Sequence, residues 1–315
     1  MKRRHFFKAA WAVVSILAVG LLPSCVPQRV SLGEKAATVR FGIVADAHYA
    51  DCDPRGSRPY RESMAKMKEC VGVMNRERVD FLIELGDFKD QDKEPEESKT
   101  LSYLRRIENA FGRFKGPRYH VLGNHDLDSL SKTQFMNTVE NAGIPKEWTF
   151  YRFDVRGIRF LVLDANFDAK AEPYDHGRFA WADSNVPVEE IDWLRSELVA
   201  SPKPVIVFIH HQLDGEGDYY VKNAAKVRAI LQQSGKILAV FQGHRHEGEY
   251  NERGGIHYYT LKGMIEGSGP ENNSYAVVEV TPQGGIRVMG FRRAESMTLA
   301  RKNKAQSEIK NRSRS

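Results

Sequence analysis

The sequence predicts a mixed, two-sheet α/β fold in a single domain. Apolar, β-branched runs alternate with segments of helical periodicity, which is typical of βα units with parallel strands. A hairpin-like pair interrupts this alternation, and the chain turns to strands before residue 292, so one simple parallel sheet is not expected. The 315 residues are ample for a packed core but too few for two large domains.

The first half of the chain predicts three strands separated by two helices. We expect strands at 39–44, 81–85 and 119–122, because each is a short run rich in apolar residues. Residues 62–78 and 95–114 have apolar side chains at helical spacing and predict helices. In the first helix this apolar stripe consists of Met64, Met67, Val71 and Met74.

The second half combines a hairpin, further βα units and a closing set of strands. Strands at 149–155 and 158–163 are separated by Arg156-Gly157, a turn signal that predicts a hairpin. Residues 187–198 begin with Pro followed by acidic residues, which favours the start of a helix. The remaining predicted elements are a helix at 221–232 and strands at 204–209, 236–241, 256–261, 275–280 and 286–291.

The positive charge of the chain lies at its two ends, although the formal net charge is +6. Residues 1–30 hold five basic and no acidic residues, and residues 292–315 hold eight basic residues against two acidic ones. The segment 31–291 therefore carries 34 basic and 39 acidic residues and is net acidic. A nucleic-acid-binding domain would carry its basic excess on the folded body, so no nucleic-acid partner is expected.

The N-terminal segment has the features of an export signal. Basic residues at 2–4 precede an uncharged, mostly apolar run at 9–22, which is too short to span a bilayer but suits a signal peptide. Residues 3–8 (R-R-H-F-F-K) resemble a twin-arginine signal. Residues 22–25 (L-P-S-C) resemble a bacterial lipobox, whose cysteine, here Cys25, is lipidated after cleavage. There are two alternative interpretations of this segment. One is cleavage by an ordinary signal peptidase, and the other is a disordered basic start with a short anchor helix.

These features divide the chain into four predicted segments. We expect a signal peptide at 1–24, a tether at 25–37, the folded domain at 38–291 and a basic, disordered tail at 292–315. The protein is then an exported bacterial lipoprotein, periplasmic or associated with the outer membrane. Its contact with the membrane would be a lipid on Cys25.

Three cysteines without a C-x-x-C pair exclude a disulfide scaffold and a cysteine-rich zinc module. Cys70 falls within the apolar stripe of its helix, which favours a buried thiol. Its separation of 18 residues from Cys52 also permits a disulfide in an oxidising compartment. The sequence leaves both states open.

Five short motifs rich in metal-binding residue types each follow a predicted strand. They are D-A-H at 46–48, G-D at 86–87, G-N-H-D at 123–126, H-H at 210–211 and G-H-R-H at 243–246. Loops after strands are where α/β proteins place ligand-binding and catalytic groups. Carboxylate, imidazole and amide donors without thiolate suit Mn, Fe or Zn. Seven such donors exceed the needs of one ion but fit two ions that share a carboxylate.

In this order the motifs resemble those of the calcineurin-like metallophosphoesterase superfamily, over roughly residues 40–265. The resemblance implies an α/β/β/α sandwich and two divalent metal ions joined by one bridging carboxylate. The implied ligands are Asp46, His48 and His246 for one ion, Asn124, His210 and His244 for the other, and Asp87 for both.

The resemblance also implies phosphoester hydrolysis, by attack of a hydroxide held between the two ions. His125 would face the substrate and stabilise charge on the phosphoryl group and the departing oxygen. Asp126 would orient the ring of His125. Because family members place the ligand first in the histidine pair, His210 rather than His211 is the expected ligand.

Several linking stretches resemble more narrowly the manganese-dependent ADP-ribose/CDP-alcohol diphosphatase branch. They include residues 41–46, 58–63, 189–194 and 261–266. This implies cleavage of the pyrophosphate bond in nucleoside diphosphates linked to a sugar or an alcohol, with manganese as the favoured ion. The candidates for contact with a phosphate or base are Tyr49, Arg58, Tyr60 and Arg61.

Two alternatives stay open on the sequence. A phosphomonoesterase would use the same metal ligands, and relative rates on monoesters and diesters would distinguish it. A surface-binding lipoprotein without catalytic activity could keep the fold and lose the reaction. Such decay would be expected to remove ligands first, whereas all seven donors and His125 are present.

Overall fold

A computed structural model of the chain describes residues 37–300. The strands in this range are β1 (Val39–Val44), β2 (Phe81–Glu84), β3 (Arg118–His120), β4 (Tyr151–Val155), β5 (Ile158–Val162), β6 (Val205–Phe208), β7 (Ile237–Gln242), β8 (Glu249–Arg253), β9 (Ile256–Thr260), β10 (Ser274–Val280), β11 (Ile286–Arg292) and β12 (Met297–Leu299). The α-helices are α1 (Ser63–Glu77), α2 (Glu97–Phe111), α3 (Lys132–Thr138), α4 (Val188–Ala200) and α5 (Ala224–Ser234).

The strands form two six-stranded sheets that enclose an apolar core. The first sheet has the order β12-β11-β10-β1-β2-β3, and the second has the order β4-β5-β6-β7-β9-β8. Between them, the ring of Phe41 stacks on Phe81 with a centroid distance of 5.0 Å. Its other ring contacts are edge-to-face, with Phe160, Phe208 and Phe241 of the second sheet. The predicted two-sheet fold is confirmed.

Helices cover the outer face of each sheet. A second apolar cluster joins the first sheet to side chains of α1 and α2, including Met67, Met74 and Leu104. A third cluster joins the second sheet to α4 and α5, through residues such as Leu194 and Leu231. The layer order is therefore α/β/β/α, because each sheet buries one face against the other sheet and one against helices.

Parallel pairing brings the ends of the motif-bearing strands together. In the first sheet β1, β2 and β3 are parallel, so Val44 pairs with Glu84 and Glu84 pairs with His120. In the second sheet β5, β6, β7 and β9 are parallel, and Phe208 pairs with Phe241. The loops that leave the carboxyl ends of these strands therefore start from the same edge of each sheet.

Three short elements were not predicted from the sequence. Helix α3 is too short to show a helical period, although Ser131 and Gln134 form a capping box at its start. Strand β8 is an edge strand whose side chains are mostly exposed, so it lacks an apolar pattern. Strand β12 pairs with β11 through Met297–Leu299, so the predicted start of the tail at residue 292 is wrong. Leu299 is buried in the apolar core, and this burial stabilises the added strand.

The structure also bears on the predicted state of the cysteines. Cys52 and Cys70 are buried free thiols, so the structure shows no disulfide between them. Burial raises the pKa of both thiols, which keeps them protonated.

Within residues 37–300, no helix is both long and apolar enough to cross a bilayer. The predicted signal peptide and residues 301–315 of the predicted tail lie outside the described residues.

Candidate metal centre

The five motifs lie in loops at the carboxyl ends of parallel strands. Asp46 and His48 follow β1, and the loop after β2 runs alongside them. The backbone N–H of Asp46 donates to the carbonyl of Gly86 at 3.0 Å, and that of His48 donates to the carbonyl of Asp87 at 2.8 Å. The other motif residues follow β3, β6 and β7 and are Asn124, His210, His244 and His246. The backbone N–H of His244 donates to Asp46 at 3.0 Å, which ties the second sheet to the first.

The backbone is strained at four of the motif residues. Nine non-glycine residues within the described range have a positive φ, and four of them belong to the motifs. They are Asp46 (54°), His48 (44°), Asp87 (57°) and His244 (71°). Left-handed conformations cost energy for residues with a Cβ and cluster at functional sites, where packing holds them. The loops thus direct these side chains into one shared space.

Two glycines make room for this convergence. Gly86 has a φ of +99°, and a Cβ on it would lie 2.4 Å from Nδ1 of His210. A Cβ on Gly123 would lie 2.3 Å from Oδ1 of Asp87. Both distances are far below a van der Waals contact, so the side chains of His210 and Asp87 occupy their positions only because these residues are glycine.

The first cluster consists of Asp46, His48 and His246. Nε2 of His246 lies 3.4 Å from Oδ1 of Asp46 and 3.2 Å from Nε2 of His48. The other ring nitrogen of each histidine faces a carboxylate: Nδ1 of His48 lies 3.1 Å from Asp90, and Nδ1 of His246 lies 2.6 Å from Glu266. These partners accept the Nδ1–H protons, so both Nε2 lone pairs point to the same space.

The second cluster consists of Asp87, His210 and His244. Nε2 of His210 lies 3.3 Å from Oδ2 of Asp87 and 3.2 Å from Nδ1 of His244. Its Nδ1–H donates to the carbonyl of Leu85 at 2.8 Å, which leaves Nε2 as the free donor atom. The same Oδ2 of Asp87 lies 3.4 Å from Nε2 of His48 in the first cluster. One carboxylate oxygen therefore lies between the two clusters.

Two buried oxygens of the predicted metal ligands lack a hydrogen-bond donor among the described residues. They are Oδ2 of Asp46 and Oδ1 of Asn124. Asn124 adjoins the second cluster, because the backbone N–H of the next residue, His125, donates to Oδ1 of Asp87 at 2.7 Å. A buried acceptor without a partner is costly unless a cation satisfies it. The oxygen and nitrogen donors of the two clusters therefore fit two divalent ions of the Mn, Fe or Zn type.

The pKa values of the ligand candidates show which of them favour a charged form. Burial lowers the pKa of His48 and lowers that of His244 further, which favours neutral rings with free lone pairs. Burial opposes ionisation of Asp87, but the surrounding imidazoles outweigh it and hold its pKa well below the usual value. Burial also opposes protonation of His210, but the Asp87 charge raises its pKa to about 9. The negative charge of Asp87 thus draws in positive charge, as protons or as cations that displace them.

His210, and not its neighbour His211, reaches Asp87. The ring of His211 packs against that of His244 with a centroid distance of 4.6 Å, and within residues 37–300 both its nitrogens are buried without a hydrogen-bond partner. Burial lowers the pKa of His211 well below its usual value, so the ring is neutral. The structure therefore brings the first histidine of the pair into the cluster, as the sequence analysis expects.

His125 lies at the open edge of the site. Its side chain is 35% exposed, and its ring contacts that of His48 edge-to-face at 4.7 Å. Nδ1 lies 3.6 Å from the carboxylates of Asp90 and of Asp128. Burial opposes protonation, but Asp87 and Asp90 outweigh it and raise the pKa of His125 well above its usual value. A partly exposed, positively polarised imidazole is suited to contact an anionic substrate.

The structure does not show the contact predicted between Asp126 and the ring of His125. Its carboxylate accepts hydrogen bonds from four backbone N–H groups, those of Asp87, Phe88, Lys89 and Gly123, at 2.9–3.3 Å. Both carboxylate oxygens are engaged by these donors, and Asp90 and Asp128 face the His125 ring instead. Residues 125–127 form a 3₁₀ turn, which directs the adjacent side chains of His125 and Asp126 to different sides. Asp126 therefore holds the loop that presents Asp87.

Two predicted substrate contacts are core residues. Tyr49 is 2% exposed and packs edge-to-face against Tyr103, and Tyr60 is 3% exposed beneath the guanidinium of Arg55. Both rings belong to the apolar cluster under the first sheet. The structure does not support substrate contact through these rings, because packing in that cluster buries both of them.

The two predicted arginine contacts differ from each other. Arg61 forms ion pairs with Asp51 at 2.7 Å and with Asp53 at 2.8 Å on an exposed surface, so its guanidinium is not available to a substrate at the metal centre. Arg58 lies 3.4 Å from Glu266, the carboxylate that contacts His246. Of the four candidates, only Arg58 is placed at the rim of the site.

Several residues of the site were missed by sequence reasoning. Asp90 and Glu266 orient ligand histidines, and Asp128 faces His125. Asp90 stands three residues after Asp87, but acidic residues in loops are too common to be selected without the fold. Trp181 and Tyr219 contact His244 from long loops that have no periodic pattern. No signal in the sequence identifies them.

A model of the calcineurin-like phosphoesterase family matches residues 39–248 of this chain. The chain is 27% identical over 286 residues to the manganese-dependent ADP-ribose/CDP-alcohol diphosphatase of Oryza sativa subsp. japonica, a match that covers 77% of this chain and 88% of the relative. It is 24% identical over 302 residues to the protein of the same name from Xenopus laevis, covering 76% of this chain and 84% of that relative.

A solved structure has the same architecture. A dimetal phosphatase from Danio rerio matches with a TM-score of 0.71 and 19% sequence identity, over 84% of this chain and 99% of that chain. At this identity the match shows a shared fold. The two sheets and the helices that cover them are therefore arranged as in that protein.

Proposed function

The chain belongs to the calcineurin-like phosphoesterase family, and we propose that it hydrolyses the pyrophosphate bond of nucleoside diphosphates linked to a sugar or an alcohol. Membership makes the protein a metal-dependent phosphoesterase with two divalent ions, and the manganese dependence named for its relatives favours Mn²⁺. The finer substrate class is supported by those relatives, each of which is named for ADP-ribose and CDP-alcohols.

One observation carries this proposal. Oδ2 of Asp87 lies 3.4 Å from Nε2 of His48 and 3.3 Å from Nε2 of His210, so a single carboxylate joins two clusters of metal donors. A site for one ion would need no such shared oxygen. Two ions bound by these donors would supply Lewis-acid charge and a better water nucleophile, which is the chemistry of in-line displacement at phosphorus.

The side chains of this protein prepare that chemistry. The backbone carbonyl of Leu85 and the carboxylates of Asp90 and Glu266 accept the outward-facing imidazole protons and so fix the tautomers of the ligand histidines. His125, at the open edge, can contact the phosphoryl group and donate a proton to the departing oxygen. Water adds across the P–O–P linkage, one bond between phosphorus and the bridging oxygen breaks, and the products are a nucleoside monophosphate and a phosphorylated sugar or alcohol.

A substrate comparison tests this activity. Protein stripped with EDTA and reloaded with Mn²⁺ should convert ADP-ribose to AMP and ribose 5-phosphate, and the stripped protein should be inactive. Product formation is measured by chromatography, with CDP-choline as the second pyrophosphate and p-nitrophenyl phosphate as the monoester control. Mn²⁺-loaded protein that hydrolyses the monoester faster than either pyrophosphate would instead establish a phosphomonoesterase. Absence of hydrolysis on all three substrates would contradict both enzyme assignments.

We further propose that the protein is exported and anchored to a membrane by a lipid on Cys25. The support is the order of basic residues at 2–4, the apolar run at 9–22 and the lipobox-like residues 22–25. Export places the enzyme where nucleotides and phosphodiesters would be scavenged from outside the cytoplasm.

Cys25→Ser tests the anchor. In a bacterial host that processes lipoproteins, the full-length protein should incorporate radiolabelled palmitate and sediment with membranes, whereas the variant should do neither. Cys52→Ser is the matched control and should behave as the parent, because Cys52 is buried in the folded domain. Equal palmitate labelling of the parent and Cys25→Ser would rule out this lipidation site.

A further inference from the structure

Two exposed aromatic side chains lie against a metal-ligand candidate. Trp181 is 44% exposed and Tyr219 is 42% exposed. The ring centroid of Trp181 lies 5.9 Å from that of His244, and the centroid of Tyr219 lies 5.6 Å from it. The two aromatic rings also contact each other at 5.6 Å. We call Trp181 and Tyr219 the aromatic pair.

The aromatic pair lies on the second sheet's side of the metal centre. Trp181 belongs to the connection between β5 and α4, and Tyr219 belongs to the connection between β6 and α5. Both connections leave the carboxyl ends of parallel strands, which is the edge that holds the clusters. The aromatic pair therefore borders the metal centre, and a molecule with a phosphate at the ions passes beside it.

Each loop is braced by contacts of its own. Tyr174 stacks on Phe179 with a centroid distance of 4.2 Å, and its hydroxyl donates to the carbonyl of Ala180 at 3.1 Å, next to Trp181. The carbonyl of Tyr219 accepts the backbone N–H of Gln212 at 3.3 Å. The two rings are thus held near His244 while much of their surface stays open to solvent.

Two adjacent exposed aromatic rings beside a polar site offer an apolar surface that a ligand can cover. Further exposed large side chains in the described range include Trp148, Val188 and Val199. The aromatic pair makes ring contacts with His244, a candidate metal ligand. Within residues 37–300, Trp148 makes no ring contact with a histidine of the site. The exposed surface of the aromatic pair therefore lies next to a candidate metal ligand, where a substrate would bind.

We propose that the aromatic pair stacks the nucleobase of the substrate while the pyrophosphate lies at the metal centre. This inference rests on the proposed function. ADP-ribose and CDP-alcohols share a nucleoside diphosphate but differ in the hydrogen-bonding edges of their bases. Stacking suits both, because every base has a π-face, whereas recognition of one base edge would reject the other. The aromatic pair thus determines preference for nucleotides over phosphates without a base.

The geometry defines how the base binds. The two rings are inclined at 54° and their centroids are only 5.6 Å apart, so they leave no slot for a base between them. The base stacks on an open ring face and is not sandwiched. Arg245, whose guanidinium carbon lies 6.0 Å from the Tyr219 centroid, borders the same surface, and its charge is paired with Glu249 at 2.9 Å.

The test compares two ligands that differ only by the base. AMP and ribose 5-phosphate are measured as competitive inhibitors of the Mn²⁺-loaded, full-length protein. Trp181→Ala should weaken inhibition by AMP about tenfold, since stacking contributes strongly to the binding of a base. Inhibition by ribose 5-phosphate should not change. The KM for ADP-ribose should rise by a similar factor while kcat stays near the parent value, and Trp181→Phe should restore most of the affinity for AMP.

Controls separate stacking from loss of structure and from failure of the proposed function. Trp148→Ala, which removes a tryptophan of similar exposure, should leave both inhibition constants unchanged. Quenching of tryptophan fluorescence by AMP, a product of the proposed reaction, is measured in the Mn²⁺-loaded protein and needs no turnover; the quenching should be lost in Trp181→Ala and kept in Trp148→Ala. A parent that hydrolyses ADP-ribose, with equal AMP inhibition of the parent and Trp181→Ala, overturns the base-stacking role alone. A parent without pyrophosphatase activity overturns the proposed function and the inference together.

Discussion

Asp87→Asn is expected to reduce kcat on ADP-ribose by roughly a thousandfold or more and to lower the bound metal from two ions per chain to one or none. The reason is geometric, because Oδ2 of Asp87 lies within 3.4 Å of a histidine in each cluster. Asparagine keeps the side-chain shape and tolerates the φ of 57°, but its amide lacks the negative charge that two cations share. Metal content by mass spectrometry and initial rates measure the two effects.

The control for this prediction is Asp80→Asn. Asp80 stands just before β2, at the opposite end of the strand from Asp87, where it accepts the backbone N–H of Arg40 at 2.9 Å and pairs with Arg156. The same change of charge there should leave metal content and kcat within about twofold of the parent. If Asp87→Asn still bound two ions and kept more than a tenth of the activity, the bridging role would be wrong.

His125→Ala is expected to lower kcat by roughly 100- to 10,000-fold while both metal ions stay bound. The ring belongs to neither the first nor the second cluster, although it forms a further group of possible donors with His48 and Asp90, and it is partly exposed. Its loss removes a proton donor and a stabilising charge and leaves the ligands in place. Steady-state kinetics paired with metal analysis would show this separation, and loss of metal in His125→Ala would instead indicate a ligand role.

Two further variants complete that experiment. His176→Ala, at an exposed histidine that pairs with Asp175, should leave kcat unchanged.

Asp126→Asn distinguishes the two interpretations of Asp126. A carboxylate that only oriented His125 would change kcat and spare stability, whereas one that holds four backbone N–H groups should lower the melting temperature and weaken metal binding. An unchanged melting temperature with lowered kcat would favour the sequence interpretation.

The sequence determined the fold class and the chemical identity of the metal donors. Short apolar strands alternating with helices predict parallel pairing, and parallel strands place their carboxyl ends at one edge. The residues that follow those strands therefore converge even when they are far apart in the chain, as Asp46 and His246 are. Residue type and position after a strand are local properties, which is why the donors could be selected without the structure.

Only the tertiary structure decided which side chains meet and which are buried. Asp126 and His125 are neighbours in sequence, but a 3₁₀ turn directs one to backbone N–H groups and leaves the other at the site edge. Tyr49 lies under a helix, whereas Trp181 and Tyr219 arrive beside His244 from separate loops. Side-chain direction and burial depend on the backbone angles of each loop and on what packs over it. These are non-local properties that a linear pattern does not encode.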